Sequence, residues 1–122
     1  MASLNKVQLI GFTGGEPRIT TFTNGSKTAT VSLATKERAY ITKSGAEVPE
    51  KTDWHNIVAY NQLAEIFEKY VHKGSLLYVE GKLRTRSYEK NGTTHYITEV
   101  IIDTMQIIDR QQQAENVNES NW

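Results

Sequence analysis

The segment Asp53–Tyr88, DWHNIVAYNQLAEIFEKYVHKGSLLYVEGKLRTRSY, decides how the rest of the chain is read. Its first eight residues alternate His55, Ile57 and Ala59 with Trp54, Asn56, Val58 and Tyr60, the period of a strand. Asn61 then takes a helix N-cap position ahead of Leu63, Ala64, Ile66, Phe67, Tyr70 and Val71 at helical spacing. Glu65, Glu68 and Lys69 are left for the wet face, and Tyr70 is expected to be packed. His72 and Lys73 suit a helix C-terminus, and Gly74 terminates it. From Leu76 the period returns to two. Leu77, Val79, Gly81 and Leu83 share the inward face, and Tyr78, Glu80, Lys82, Arg84, Arg86 and Tyr88 the outward one.

On the C-terminal side, Asn91-Gly92 is a type I′ hairpin turn, and His95–Ile108 returns antiparallel. On the N-terminal side, Val7–Phe12 is a strand stopped by Gly14, Gly15 and Pro17. Arg18–Thr23 either pairs with it or runs as a bent edge up to the Asn24-Gly25 turn. Thr28–Thr35 is β-branched and alternates Ala29, Val31 and Leu33 with threonine and serine, as a half-buried strand does. The polar stretch Lys36–Thr52 is a mobile loop or a long hairpin. Three strands, one helix and two long strands predict an all-β fold: a five-stranded Greek-key OB barrel with one helix between strands 3 and 4, and extended hairpins. Too few strands are visible for a two-sheet sandwich. The barrel domain is expected over residues 1–109. Residues 110–122, polar and poor in core formers, are expected to be a short disordered tail.

With 122 residues the chain builds one modest core. It has 14 basic and 14 acidic residues and no cysteine, which excludes disulfides and thiolate metal sites. Setting aside Arg110, Glu115 and Glu119 in the tail leaves a balance of one positive charge, so any attraction for a polyanion must be local. Without a signal-peptide layout or an apolar run of membrane length, the cytoplasm is the expected location. His55, His72 and His95 lie on separate elements without metal-ligand spacing, and no metal is expected. Gly11, Gly14 and Gly15 are turn glycines rather than a dinucleotide fingerprint. Ser26 and Ser44 sit in turns and not on a nucleophile elbow.

Parity supplies the candidate site. Trp54 and Tyr60, flanking Asn56, lie on the face opposite Ile57 and Ala59. Exposed aromatics on a sheet mark either a contact between subunits or a platform on which bases stack. The Lys82, Arg84 and Arg86 row ends at Tyr88. Taken alone it is a solvated strand face, but beside an aromatic strand it matches what a phosphate backbone and its bases require. An OB module acting mainly through protein contacts is one alternative. A nuclease is another, and it would need clustered acids that are not visible here.

These motifs resemble those of the bacterial single-stranded-DNA-binding proteins. The similarity runs from about Asn5 to Asp109: Asn5-Lys6-Val7, Leu9-Ile10-Gly11, Asn24-Gly25, Val31-Ser32-Leu33-Ala34-Thr35, Thr52-Asp53-Trp54-His55, Leu63-Ala64-Glu65, Lys73-Gly74-Ser75, Tyr78 through Arg86, and Thr104-Met105-Gln106. The resemblance implies sequence-tolerant binding of single-stranded DNA during replication, recombination or repair. It also implies a homotetramer, a nucleoid-associated location, and neither a reaction nor a cofactor. It makes Trp54, Tyr60 and Tyr88 base-stacking residues. The fourth falls on Ala39 or Tyr40, of which Tyr40 has the ring. Lys82, Arg84, Arg86, Asn56 and Lys6 are the expected phosphate and polar contacts, and His55 and Tyr78 the expected subunit contacts. The family's usual C-terminus is a long linker with an acidic, hydrophobic-tipped end that recruits replication and repair proteins. This tail has only Glu115 and Glu119 before Asn121-Trp122, so that role is not carried over.

Overall fold

The computed structural model describes residues 2–108. In chain order the elements are β1 (Val7–Thr13), β2 (Arg18–Thr21), β3 (Lys27–Glu37), β4 (Tyr40–Ile41), β5 (Glu47–Val48), β6 (Lys51–Tyr60), α1 (Gln62–Tyr70), β7 (Leu76–Lys90) and β8 (Thr93–Ile107). Strands β1, β7, β8, β6 and β3 neighbour one another in that order, and β1 also pairs with β3 through Phe12↔Ala34 and Thr13↔Leu33. The sheet therefore closes into a five-stranded ring, the OB barrel expected from the strand order. All contacts in the ring are antiparallel except β6 with β8, which run parallel through Ile57↔Val100 and Val58↔Ile101.

Alternation along each strand fills the interior. Ala29, Val31 and Leu33 of β3, Ile57 and Ala59 of β6, Leu77 and Val79 of β7, and Val100 and Ile102 of β8 form one core. Helix α1 seats Ala64 and Phe67 on it, both fully buried. Burying a side chain the size of Phe67 contributes ~1.5–3 kcal/mol, which helps hold a short helix against the strands. Two glycines mark where backbones meet too closely for any side chain. A Cβ on Gly11 would stand 2.2 Å from the Ala34 carbonyl oxygen, at the β1–β3 closure. A Cβ on Gly81 would stand 2.1 Å from the Ile101 carbonyl oxygen, beside a register shift in which Glu80 faces Thr104 and Gly81 faces Ile102.

The structure decides between some local alternatives and corrects other expectations. Arg18–Thr21 pairs with β3, not β1, as an edge strand turned by Asn24-Gly25. Lys36–Thr52 is a long hairpin: β3 and β6 pair as far as Glu37↔Lys51, and β4 pairs with β5 beyond them. Asn61 sits at the N-cap but does not cap. At φ 53° its side-chain oxygen accepts the Lys27 N–H (3.2 Å) and its own N–H donates to the Lys27 carbonyl (2.7 Å). The turn out of β6 needs left-handed backbone, which asparagine tolerates, and the side chain is spent across to β3. The helix ends at Tyr70 because Val71 turns extended to bury itself at 1 % exposure. His72 and Lys73 thus lie beyond it, both bonded to Glu16. Tyr70 is exposed rather than packed. Leu83 has core parity but is 49 % exposed, because β7 is solvent-exposed from Lys82 onward as its hairpin with β8 runs out past the core. The expected disorder of residues 110–122 concerns positions outside the described residues.

Gly11→Ala and Gly81→Ala are each expected to lower stability by about 1–3 kcal/mol, since the clash is with backbone that cannot rotate away. Gly15→Ala, with nothing within 4 Å of its Cβ position, is expected to leave it nearly unchanged. Urea unfolding midpoints of the three variants check this.

Candidate nucleic-acid interface

The outer face of β6 carries Trp54, Asn56, Val58 and Tyr60, each opposite a small residue of β3: Ala34, Ser32, Thr30 and Thr28. Small partners on one strand and large ones on the next make a trough. Trp54 is 60 % exposed and Tyr60 46 %, whereas Val58 between them is buried at 5 %. Strand β2 supplies the far bank, because Arg18 stands opposite Thr30 and the outward row of alternate residues continues to Phe22. Two open grooves lie along the trough. One, of about 530 Å³, is lined by Trp54, Arg18, Gly14, Gly15, Thr30 and Ser32 among others. The second, of about 240 Å³, includes Tyr60, Phe22, Val58, Arg86 and Glu99.

The Trp54 ring depends on Gly14, where an added Cβ would come within 2.5 Å of the indole carbon Cζ3. Glu16 also borders this groove. Its carboxylate accepts the Lys73 backbone N–H and lies 3.3 Å from the His72 Nδ1; these bonds, the first the larger, hold it below the usual carboxylate range.

The cations are unequal. Among the described residues the ion pairs are Lys6–Glu80, Lys27–Glu68, His72–Glu16 and Arg86–Glu99, which leaves the charges of Arg18, Lys82 and Arg84 uncommitted. Arg86 donates from Nε to Glu99 Oε1 (2.9 Å) and from Nη2 to Oε2 (3.4 Å). The Glu99 side chain is only 8 % exposed, so Arg86 neutralises a nearly buried carboxylate while keeping its own outer edge in solvent. Tyr88 stacks on His95 directly across the β7–β8 hairpin, with ring centroids 5.3 Å apart and planes 23° apart. One face of Tyr88 is thereby covered by the ring of His95, a residue that the sequence placed on the returning strand but not in the candidate site.

The expected residues do not all meet. Tyr40 is exposed on the separate β4–β5 hairpin, beside a groove of about 450 Å³ lined by Ala39, Ile41, Val48 and Pro49. Lys6 lies on the β1–β7 side, its ammonium 3.1 Å from Glu80, whose hydrogen bond and charge raise its pKa. Tyr78 donates its hydroxyl to Glu80 and accepts from Gln8 Nε2 at 3.0 Å. The Tyr78 bond first, and Lys6 next, hold the Glu80 carboxyl low. Ile10, paired with Tyr78, and Phe12 are exposed there too. His55 has the opposite parity to Trp54, is half-buried, and places Nε2 2.8 Å from the Thr35 hydroxyl. The sequence reading missed Phe22, Arg18 and Glu99. The alternation Arg18, Thr20, Phe22 signals Arg18 and Phe22 only once β2 is paired with β3. The signal for Glu99 is the Asn91-Gly92 turn, whose hairpin register sets Glu99 across from Arg84 and within reach of Arg86. No group of three or more metal-binding side chains forms among the described residues.

A closed OB barrel with an open trough of aromatic, threonine and arginine side chains defines a binding module for an extended polyanion with flat bases. The chain matches the single-strand binding protein family over residues 4–108. It is 54 % identical over 107 residues to the single-stranded DNA-binding protein of Bacteroides thetaiotaomicron, covering 87 % of this chain but 66 % of that protein. It is 42 % identical over 118 residues to single-stranded DNA-binding protein 1 of Xylella fastidiosa, covering 96 % of this chain and 86 % of that one. The solved Plasmodium falciparum SSB complex with ssDNA superposes with a TM-score of 0.80 at 39 % identity, over 89 % of this chain and 98 % of that one. This chain belongs to the single-strand binding protein family.

Arg86→Ala strands the Glu99 carboxylate and is expected to cost about 1–3 kcal/mol of stability. Arg84→Ala, which orphans nothing among the described residues, is expected to cost under about 0.5 kcal/mol. Thermal melts of the two variants distinguish them.

Proposed function

We propose that this chain binds single-stranded DNA with little regard for sequence and takes no part in bond making or breaking. The observation that carries this reading is the outward row of β6: Trp54 and Tyr60 open to solvent on either side of Asn56 and Val58, in a trough with Arg18 on one bank and Arg86 on the other. Every base has a π face, so stacking holds any sequence, and uncommitted cations on β2 and β7 attract the phosphates despite zero net charge. Asn56 lies in the same row and Lys82 and Arg84 continue the cationic one. Tyr88, with His95 behind it, extends the surface along the β7–β8 hairpin, and Tyr40 offers a further ring on its own hairpin. Lys6, committed to Glu80, contributes to the general field more than to a direct contact.

The chain acts as a homotetramer in the cytoplasm, on the nucleoid, protecting strands exposed by replication, recombination or repair. The exposed Ile10, Phe12 and Tyr78 on β1 and β7, with His55, are the subunit-contact candidates. Family membership and the relatives' names support the binding of single-stranded DNA, and the exposed apolar residues of β1 support a contact between subunits.

Oligothymidylate is expected to quench the fluorescence of Trp54, measured with Trp122→Phe so that one indole reports. Unchanged emission together with no gel shift refutes the reading. Trp54→Ala is expected to weaken binding by ~1–3 kcal/mol on every homopolymer alike, whereas a loss confined to one base points to edge readout. Mass measurement in solution is expected to give four chains, and a monomer rules out the assembly.

A further inference from the structure

The groove at the Tyr60 end of the trough contains two residues for which stacking along β6 gives no role, Phe22 and Glu99. Phe22 is 49 % exposed on the turn after β2, where its N–H donates to the Ser26 carbonyl at 2.8 Å. That bond prolongs the β2–β3 ladder by one pair. It keeps Phe22 on the outward side with Thr20 and Arg18, bordering the same groove as Thr28, Thr30 and Tyr60. The hairpin itself is fixed to the end of β6, because the N–H and carbonyl of Lys27 both bond to Asn61, the residue after Tyr60. The position of Phe22 relative to Tyr60 is thus set by backbone bonds rather than by a free loop. Besides the two rings, the groove is lined by buried Val58 and by Thr28 and Thr30, with Arg86 and Glu99 completing it. An exposed phenylalanine gains nothing from water.

Glu99 presents the opposite puzzle, a carboxylate inside a site for an anion. Both its oxygens accept from Arg86, so its charge is neutralised where it stands, and the pair fixes a guanidinium that is otherwise long and mobile. Arg86 keeps donors free on its exposed edge, beside the groove's opening.

We propose that Phe22 and Tyr60 are the two aromatic sides of a pocket for one nucleobase, and that Glu99 is the positioning residue that holds Arg86 for the adjoining phosphate. This rests on the single-stranded-DNA reading above. It adds a base contact from outside the β6 and β7 rows and gives the Tyr60 end of the trough two rings where the Trp54 end has one. Glu99 raises affinity although its own charge opposes the ligand.

The test measures affinity for oligothymidylate across a salt series with Phe22→Ala, Phe22→Leu, Phe22→Tyr, Glu99→Gln and Trp54→Ala. Loss of the ring in Phe22→Ala or Phe22→Leu is expected to weaken binding about five-fold or more with the salt slope unchanged, and Phe22→Tyr to stay near wild type. Glu99→Gln is expected to weaken binding and to lower the salt slope by about 0.7, the share of one phosphate contact on a single strand. Ultraviolet cross-linking of wild-type protein to oligonucleotide carrying 5-iodouracil is expected to give adducts at Phe22 or Tyr60, read by peptide mass spectrometry. This arm needs no variant to fold. If Phe22→Ala binds as wild type while Trp54→Ala is weakened, the pocket is refuted and the broader reading stands. Wild-type binding to oligothymidylate being absent refutes both. Unchanged or tighter binding by Glu99→Gln refutes the positioning role, because removal of a negative charge alone would have that sign.

Discussion

Closure of the sheet on itself is the constraint on which the rest depends. Strand β1 pairs with β7 along one edge and with β3 along the other, and the two pairings meet at Phe12, which faces both Leu76 and Ala34. Closure requires the Ala34 carbonyl to approach the α-carbon of residue 11 more closely than a methyl group permits, and Gly11 allows it. A small domain without disulfides has only its core to hold it. A ring of five strands lets Leu33, Ile57, Leu77, Val79 and Val100 bury one face each, while α1 adds Phe67. Once the inside is satisfied, the outer faces of the strands are free to carry other chemistry.

That outer surface divides by how charge is used. On the β1–β7 side, Lys6, Glu80, Tyr78 and Gln8 bond among themselves, so little field leaves that sector, and Ile10 and Phe12 stand beside them exposed. On the β2–β3–β6 side, threonines and a serine keep the trough open, and the cations of β2 and β7 are mostly uncommitted. Net charge says nothing of where the charges stand, which is why the chain's neutrality predicts so little about its partner. Arg86 belongs to both kinds: paired to a nearly buried carboxylate on one edge and open to solvent on the other.

Which side chains of the candidate site stand outward was legible in residue order, because a strand writes its two faces as odd and even positions. Trp54 and Tyr60 share parity and do lie exposed on one face, with His55 on the other. Parity failed where burial depends on what covers a face. Val58 has the parity of Trp54 yet is buried among its neighbours, and Leu83 has the parity of Val79 yet is exposed where the hairpin has left the barrel. Asn61 shows the same limit for a cap: its position was legible, but its hydrogen bond goes to Lys27, a residue 34 positions away.

By itself, the sequence determined the class of fold, the place of the helix and the rows of rings and cations, because side-chain period and turn chemistry are local. Asn91-Gly92 turns the chain with both residues at positive φ, whatever lies around them. Only the tertiary structure decided which rows face each other. Pairing β2 with β3, and β3 with β6, brought Phe22 and Arg18 to the trough, whereas the register that brings Glu99 to Arg86 follows from the Asn91-Gly92 turn. The facing of β2 and β6 across β3 joins residues far apart in the chain and is set by the β3–β6 pairing, which no local pattern encodes.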